Sequence, residues 1–161
     1  MTPRARIGPI ALGCFVLIGC TSRDCLPPPP ADGSPPELTL TVLFRELSSG
    51  EQDTLVVLPG DPPARVDARN LDGVRVVYLG RDPEGLRRAE LGATMLTTVG
   101  VGIESERLRV DPLTSSCPVP ALAGTWSVPP GDPGRTVSLG LIAESWSGLR
   151  SWTETVTIRL R

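Results

Sequence analysis

The sequence predicts an all-β fold, a single β-sandwich of about seven to eight short antiparallel strands. Apolar and polar residues alternate with a period of two in several segments, as in strands that bury one face. Glycines and prolines, 17 and 18 residues respectively, separate these segments as turns. No long stretch has the 3.6-residue period of an amphipathic helix. The predicted sandwich occupies residues 37–161.

The strands follow one another along this region. In the first, Leu38 to Phe44 alternate with polar residues, which predicts a half-buried strand. Proline-rich residues 111–134 have no clear pattern, so the strand order within 92–134 stays open. The further predicted strands are 54–58, 74–79, 96–103, 107–110, 124–128, 136–143 and 153–160.

Helix and hairpin are both open for residues 82–92. Asp82 is a good N-cap, a proline follows at the first helical position, and Gly92 supplies a stop. An internal similarity favours strands instead. Residues 76–87 and 139–150 share one layout: a strand, an acidic turn and then Gly-Leu-Arg.

These hairpins carry a family resemblance. From about residue 36 to 161 the chain resembles bacterial immunoglobulin-like domains, the cadherin-like and fibronectin-like sandwiches. The resemblance implies a single immunoglobulin-like β-sandwich; the second hairpin departs from the usual pattern at Glu144 and Trp146. Cadherin-like proteins bind Ca²⁺ at linkers, yet turn-forming carboxylates need no ion, and we predict no metal site. The acidic turn residues in question are Asp61, Asp72, Asp82 and Glu84.

The start of the chain has the pattern of an export signal. Basic Arg4 and Arg6 precede an apolar run over 7–18, which is shorter than the roughly 20 residues of a membrane-spanning helix. Leu17-Ile18-Gly19-Cys20 resembles the lipobox of bacterial lipoproteins. The resemblance implies cleavage of residues 1–19 and acylation of Cys20, which then anchors the chain in a membrane. A cleaved signal without lipid and an uncleaved anchor are the alternatives.

The lipoprotein resemblance also implies a location, the cell envelope. In Gram-negative lipoproteins an Asp after the acylated cysteine retains the protein at the inner membrane. Thr21 stands here, which favours the outer membrane, on its periplasmic or surface face, in a Gram-negative host.

Residues 20–36 form the lipidated N-terminus and a proline-rich tether. Six of the ten residues in 27–36 are proline, which predicts an extended polyproline II spacer about 30 Å long. Cys14 leaves with the signal and Cys20 takes lipid, so two cysteines remain. In an oxidising compartment they predict a disulfide between Cys25 and Cys117. Two unpaired thiols, or an intermolecular bond through Cys25, are the alternatives.

Composition excludes much chemistry. Neither histidine nor lysine is present, so Ser-His-Asp triads, histidine metal sites and Schiff-base lysines are excluded. No glycine-rich phosphate loop occurs. With 16 arginines against 18 acidic residues the chain lacks the basic excess of a nucleic-acid binder. We predict a non-enzyme with no catalytic residue and no cofactor.

The function that these features predict is that of a membrane-anchored envelope lipoprotein with a non-catalytic binding or structural β-sandwich. Of the three tryptophans, Trp146 lies in a predicted hairpin tip, where an exposed indole suits contact with an envelope protein or a glycan. One of the three tryptophans is expected to anchor the core, and Trp152 to cover its turn. Local packing is the alternative role for Trp146. An accessory subunit of an envelope secretion or assembly complex, and a carbohydrate-binding or hydrolytic module, are the alternative functions.

Overall fold

The computed structural model describes residues 25, 28–69, 73–99, 102–128 and 134–161. Cys20 and the predicted signal peptide therefore lie outside the described residues. The described part is all-β, as predicted, and no helix in it is long and apolar enough to cross a membrane. Its strands are β1 Glu37–Arg45, β2 Gln52–Val57, β3 Ala64–Ala68, β4 Val74–Val99, β5 Gly102–Val128, β6 Thr136–Ser145, β7 Arg150–Trp152 and β8 Val156–Leu160.

The strands form one curled, mixed sheet in the order β2-β1-β4-β6-β8-β3. β4 is long enough to pair with β1 along its first part and with β6 along its second, while β5 runs beside both parts. β7 lies next to β6. A bridge between Glu46 and Ala68 joins the residue after β1 to the end of β3, so the sheet curls round until β3 reaches β1.

The curled sheet encloses a single apolar core. Alternate residues of β1, β6 and β8 point inward, which is the period of two that predicts these strands. Its largest fully buried side chains are Leu40, Leu86, Leu91, Leu139, Leu141, Ile158 and Leu160. Burying side chains of this size contributes about 1.5–3 kcal/mol each, so the core stabilises the fold.

One strand pair departs from the predicted antiparallel arrangement. β3 pairs with β8 in parallel, from Ala64 opposite Val156 to Ala68 opposite Leu160. The sequence did not predict β3 at all, because its five residues bury only Val66 and Ala68 and carry a charge between them. Such a short pattern does not distinguish a strand from a loop.

Residues 82–92 belong to β4 and form neither a helix nor a hairpin. Leu86, Ala89 and Leu91 are buried, and β5 and β6 pair with this part of β4 from both sides. The helix signals of Asp82 and the following proline serve instead a bulge, since the pairing with β5 shifts between Arg81 and Leu86.

Three prolines within β5 coincide with irregularities of its pairing with β4. The pairing shifts register around Pro112, Pro118 and Pro120, where residues lack direct partners. Proline cannot donate a ladder hydrogen bond, so it is tolerated at bulges and in edge strands. This accounts for the long strand through a region whose composition predicts loops.

The tether is attached to the domain at both ends. Cys25 and Cys117 form a disulfide, with Cα atoms 5.3 Å apart, and β1 begins directly after the buried Pro36. Residues 28–36 therefore connect two points of the same domain. The sequence predicts the same pair of cysteines, and their disulfide attaches the start of the proline-rich stretch to the domain.

Candidate functional site

The outer surface of β6 and β7 presents the most exposed aromatic side chain of the described residues. Trp152 is 58% exposed and stands opposite Ile142, which is 39% exposed. Their neighbours Ser151 and Ala143 point inward and are buried, so strand alternation directs both large side chains outward. An indole beside an aliphatic side chain on an outer face is typical of contact surfaces. We call this surface the Trp152 face.

Charged side chains surround the Trp152 face, and arginines outnumber glutamates among them. The arginine side chains are exposed whereas the glutamates are largely covered, and surface ion pairs contribute only about 0–1 kcal/mol to stability, so the arginines are available to a ligand. Each glutamate lies between two arginines: Glu144 between Arg150 (Nε–Oε2 2.8 Å) and Arg87 (Nη1–Oε1 3.9 Å), and Glu90 between Arg88 (Nη2–Oε2 3.6 Å) and Arg109 (Nε–Oε2 3.9 Å).

A shallow groove of about 290 Å³ lies within this face, between the indole and the charged row. Its size is at the lower end of small-molecule sites, which suits one sugar ring or one protruding side chain. Two glycines, Gly92 and Gly140, pair with each other on the neighbouring strands. A Cβ at either would meet only backbone oxygens, at 3.7 and 3.9 Å, so bare backbone continues the surface.

A buried polar cluster lies at the end of β6 and serves the fold. Glu84, only 2% exposed, accepts hydrogen bonds from the N and Oγ of Ser147, both at 3.0 Å. Ser147 Oγ lies 2.8 Å from Ser145 Oγ, and Ser145 Oγ accepts from Leu149 N at 3.1 Å. The carboxylate of the β4 bulge thereby holds the β6–β7 turn.

Asp82, which also lies in the β4 bulge, has a raised pKa. Burial raises the pKa of the Asp82 carboxyl above its ordinary value, and the charges of Glu84 and Asp32 act in the same direction. Its Oδ1 accepts a hydrogen bond from Glu84 N at 2.9 Å, whereas Oδ2 is buried without a partner. Because Glu84 is occupied by Ser147, these two acids do not form a free catalytic pair.

The structure places the other predicted positions as follows. Trp146 lies in the β6–β7 turn, as predicted, but it is half-buried and its N donates to Gly85 O at 2.8 Å. Trp126 packs against the core as a half-buried residue. Trp152, which the sequence assigns to local packing, is the exposed one.

The structure brings together two of the four acidic turn residues, Asp82 and Glu84, and Asp61 lies apart from them. Asp61 accepts a hydrogen bond from Leu58 N at 2.7 Å and so closes its own turn, while Asp72 lies outside the described residues. Within the described ranges, no group of three or more acidic or cysteine side chains is arranged to hold a metal ion.

Comparison of the chain with protein-family models, with curated proteins and with solved structures finds no match in any of the three. The residues themselves, and the surfaces they form, therefore carry the functional argument.

Proposed function

We propose that this protein is a lipid-anchored envelope protein whose β domain binds a partner without catalysis, through the Trp152 face. The anchor is supported by the apolar run and the lipobox-like Leu17 to Cys20. If the host is Gram-negative, Thr21 after the cysteine favours the outer membrane. The single observation that supports binding is the outward position of Trp152 among arginines.

The partner chemistry follows from the face. An exposed indole and Ile142 bind an apolar or planar group, and the surplus of arginines favours carboxylates next to it. Arginine and tryptophan are the side chains that most often dominate binding energy at interfaces. A glycan-binding module is the second candidate, favoured by the groove of about 290 Å³ beside the indole.

The anchor is tested on the full-length chain. Labelling with a fatty acid and mass spectrometry of the mature N-terminus should find acylated Cys20. The variant Cys20→Ser should lose both the label and the membrane fraction. An unmodified N-terminus in the membrane fraction would contradict the lipid anchor.

The binding face is tested by photo-crosslinking in native membranes, with the crosslinker at position 152. The matched control places it at position 56, since Val56 on β2 is also exposed, at 50%. Adducts at 152 and none at 56 are expected, and their disappearance in Arg150→Ala would show that the arginines contribute. Equal yields at both positions, or no adduct at 152, would refute the assignment; a glycan adduct would favour the second candidate.

A further inference from the structure

The free edge of β5 carries a further inference. β5 pairs with β4, and among the described strands none lies against its other edge. A strand edge of this kind presents N–H and C=O groups that can bind another strand. Natural sheets protect such edges with charges, prolines or bulges.

Protection along β5 is uneven. Its first part is charged, with Glu104, Glu106, Arg107 and Arg109, and its middle part contains three prolines at the register shifts. Residues 121–128 contain neither a charge nor a proline. We call this segment the open edge.

The open edge is also regular. Ala121 to Val128 pair with Arg81 to Val74 of β4 residue by residue, without a bulge. A straight, regularly paired strand is the form that a further strand can extend, because its unpaired groups follow one another at even spacing. The chain thus keeps a template of eight residues at the end of β5.

The core is incomplete beside β5. Most of the half-buried hydrophobic residues that pack against the core belong to this strand. The half-buried residues of β5 are Leu108, Val110, Leu113 and Trp126, and of these Trp126 lies within the open edge. A strand added next to the open edge would cover the part of Trp126 that the monomer leaves in water, which favours association.

We propose that the open edge pairs in an antiparallel manner with the open edge of a second copy of this chain, about a two-fold axis at Thr125. A two-fold axis perpendicular to the sheet brings residues of the same face together. Trp126 then stands opposite Gly124 of the copy, so the largest side chain meets the smallest. Leu122 and Val128, both buried on the core side, meet likewise.

A second copy fits this edge better than a charged segment would. Residues 112–128 hold no charge, so two copies meet without repulsion between like charges. Pro120 and Pro129 stand at the two ends of the open edge and would limit the pairing to the residues between them.

The register is tested with single cysteines in the full-length chain in its own membranes. Thr125 and Ser105 are both exposed, the first at the proposed axis and the second in the charged part of β5. Directly opposite residues of an antiparallel pair have Cα atoms about 4.5–5.5 Å apart, within the range that a disulfide spans. Thr125→Cys should therefore give a disulfide-linked dimer, mapped to position 125 by mass spectrometry, and Ser105→Cys should not.

Two further variants fix the direction. Ala123→Cys alone should stay monomeric, whereas co-expression with Ser127→Cys should yield the mixed dimer. In the unlinked protein in detergent, Thr125→Arg should shift the sedimenting mass from two chains to one, and Ser105→Arg should leave it at two.

A monomeric Thr125→Cys protein would overturn the proposal. So would self-linking of Ala123→Cys, which implies another register or direction. Linking of position 125 to a different envelope protein would replace the second copy by a foreign strand.

Discussion

Replacing Glu84 should remove the hydrogen bonds that hold the β6–β7 turn against the β4 bulge. The carboxylate is buried and accepts two hydrogen bonds from Ser147, at 3.0 Å each. Hydrogen bonds to a charged group contribute about 1.5–3 kcal/mol each. Ser147 is exposed, so its donors regain water when the acceptor is lost, and the lower end applies. Glu84→Ala should therefore lower the free energy of unfolding by about 2–3 kcal/mol.

Urea unfolding of the chain beginning after Cys20 measures this change. With a slope of about 1–3 kcal/mol per molar urea, the midpoint should fall by roughly 0.7–3 M. Glu106→Ala removes an exposed carboxylate of β5 and should stay within about 0.5 kcal/mol of the parent protein. In a double-mutant cycle with Ser147→Ala, the coupling should be about 1–2 kcal/mol. A Glu84→Ala protein as stable as the Glu106→Ala control, or a coupling near zero, would refute this reasoning.

Four other substitutions test the frame of the domain. Gly85→Ala should lower the free energy of unfolding by about 2–3 kcal/mol, because Gly85 has a φ of +92° and a Cβ there would lie 2.5 Å from a proline of β5. Its control is Gly148→Ala, where φ is +93° but no atom is near, and this variant should lose about 1 kcal/mol. Thermal unfolding measures both. Cys117→Ser removes the disulfide that closes a loop of sequence separation 92, and it should lower the free energy of unfolding by about 4–5 kcal/mol. Urea unfolding measures this loss, and a thiol reagent should then label Cys25. A loss under 1 kcal/mol would contradict the chain-entropy argument. Burial raises the pKa of Asp82, so the folded state keeps this proton at a pH where the unfolded chain has lost it. The stability that the protonated carboxyl contributes is therefore lost as pH rises from the ordinary aspartate pKa to the raised one. Asp82→Asn should flatten this part of the stability–pH curve, and an unchanged curve would contradict the role given to Asp82.

Strands that bury one face over several residues were predictable from the sequence. In β1 and β6 every second residue is buried, and all of these except Ser145 are apolar, so the pattern and the structure coincide. β3 was not predictable, because its pairing partner β8 is far away in the chain and its five residues contain little pattern.

The long β4–β5 pair shows where local signals mislead. Asp82 and the following proline are as suitable for a bulge as for a helix N-terminus, and only the burial of Leu86 and Leu91 between two strands decides. Prolines in β5 indicate loops locally, but bulges in an edge strand accommodate them. Such decisions depend on tertiary pairing, which a local window of sequence does not contain.

The exposed position of Trp152 could not be predicted for a similar reason. Trp152 precedes the last predicted strand, 153–160, and the sequence assigns it to local packing, yet the register with β6 buries Ser151 and directs Trp152 outward. The half-buried Trp146 instead packs in the turn, where its backbone N bonds to the bulge. Which residues of a three-residue strand point inward is set by its pairing with the neighbouring strand, and the sequence of β7 alone does not determine it.

The Cys25–Cys117 disulfide limits the distance between the domain and the membrane. If Cys20 carries the lipid, only five peptide bonds separate it from the disulfide, and this segment is about 18 Å long when fully extended. The proline-rich stretch does not lengthen this segment, because it begins after Cys25. The domain then lies close to the lipid headgroups, with the surface around Cys117 facing the membrane. Reduction of the disulfide would add the residues between Cys25 and β1 to the tether and let the domain move away from the membrane.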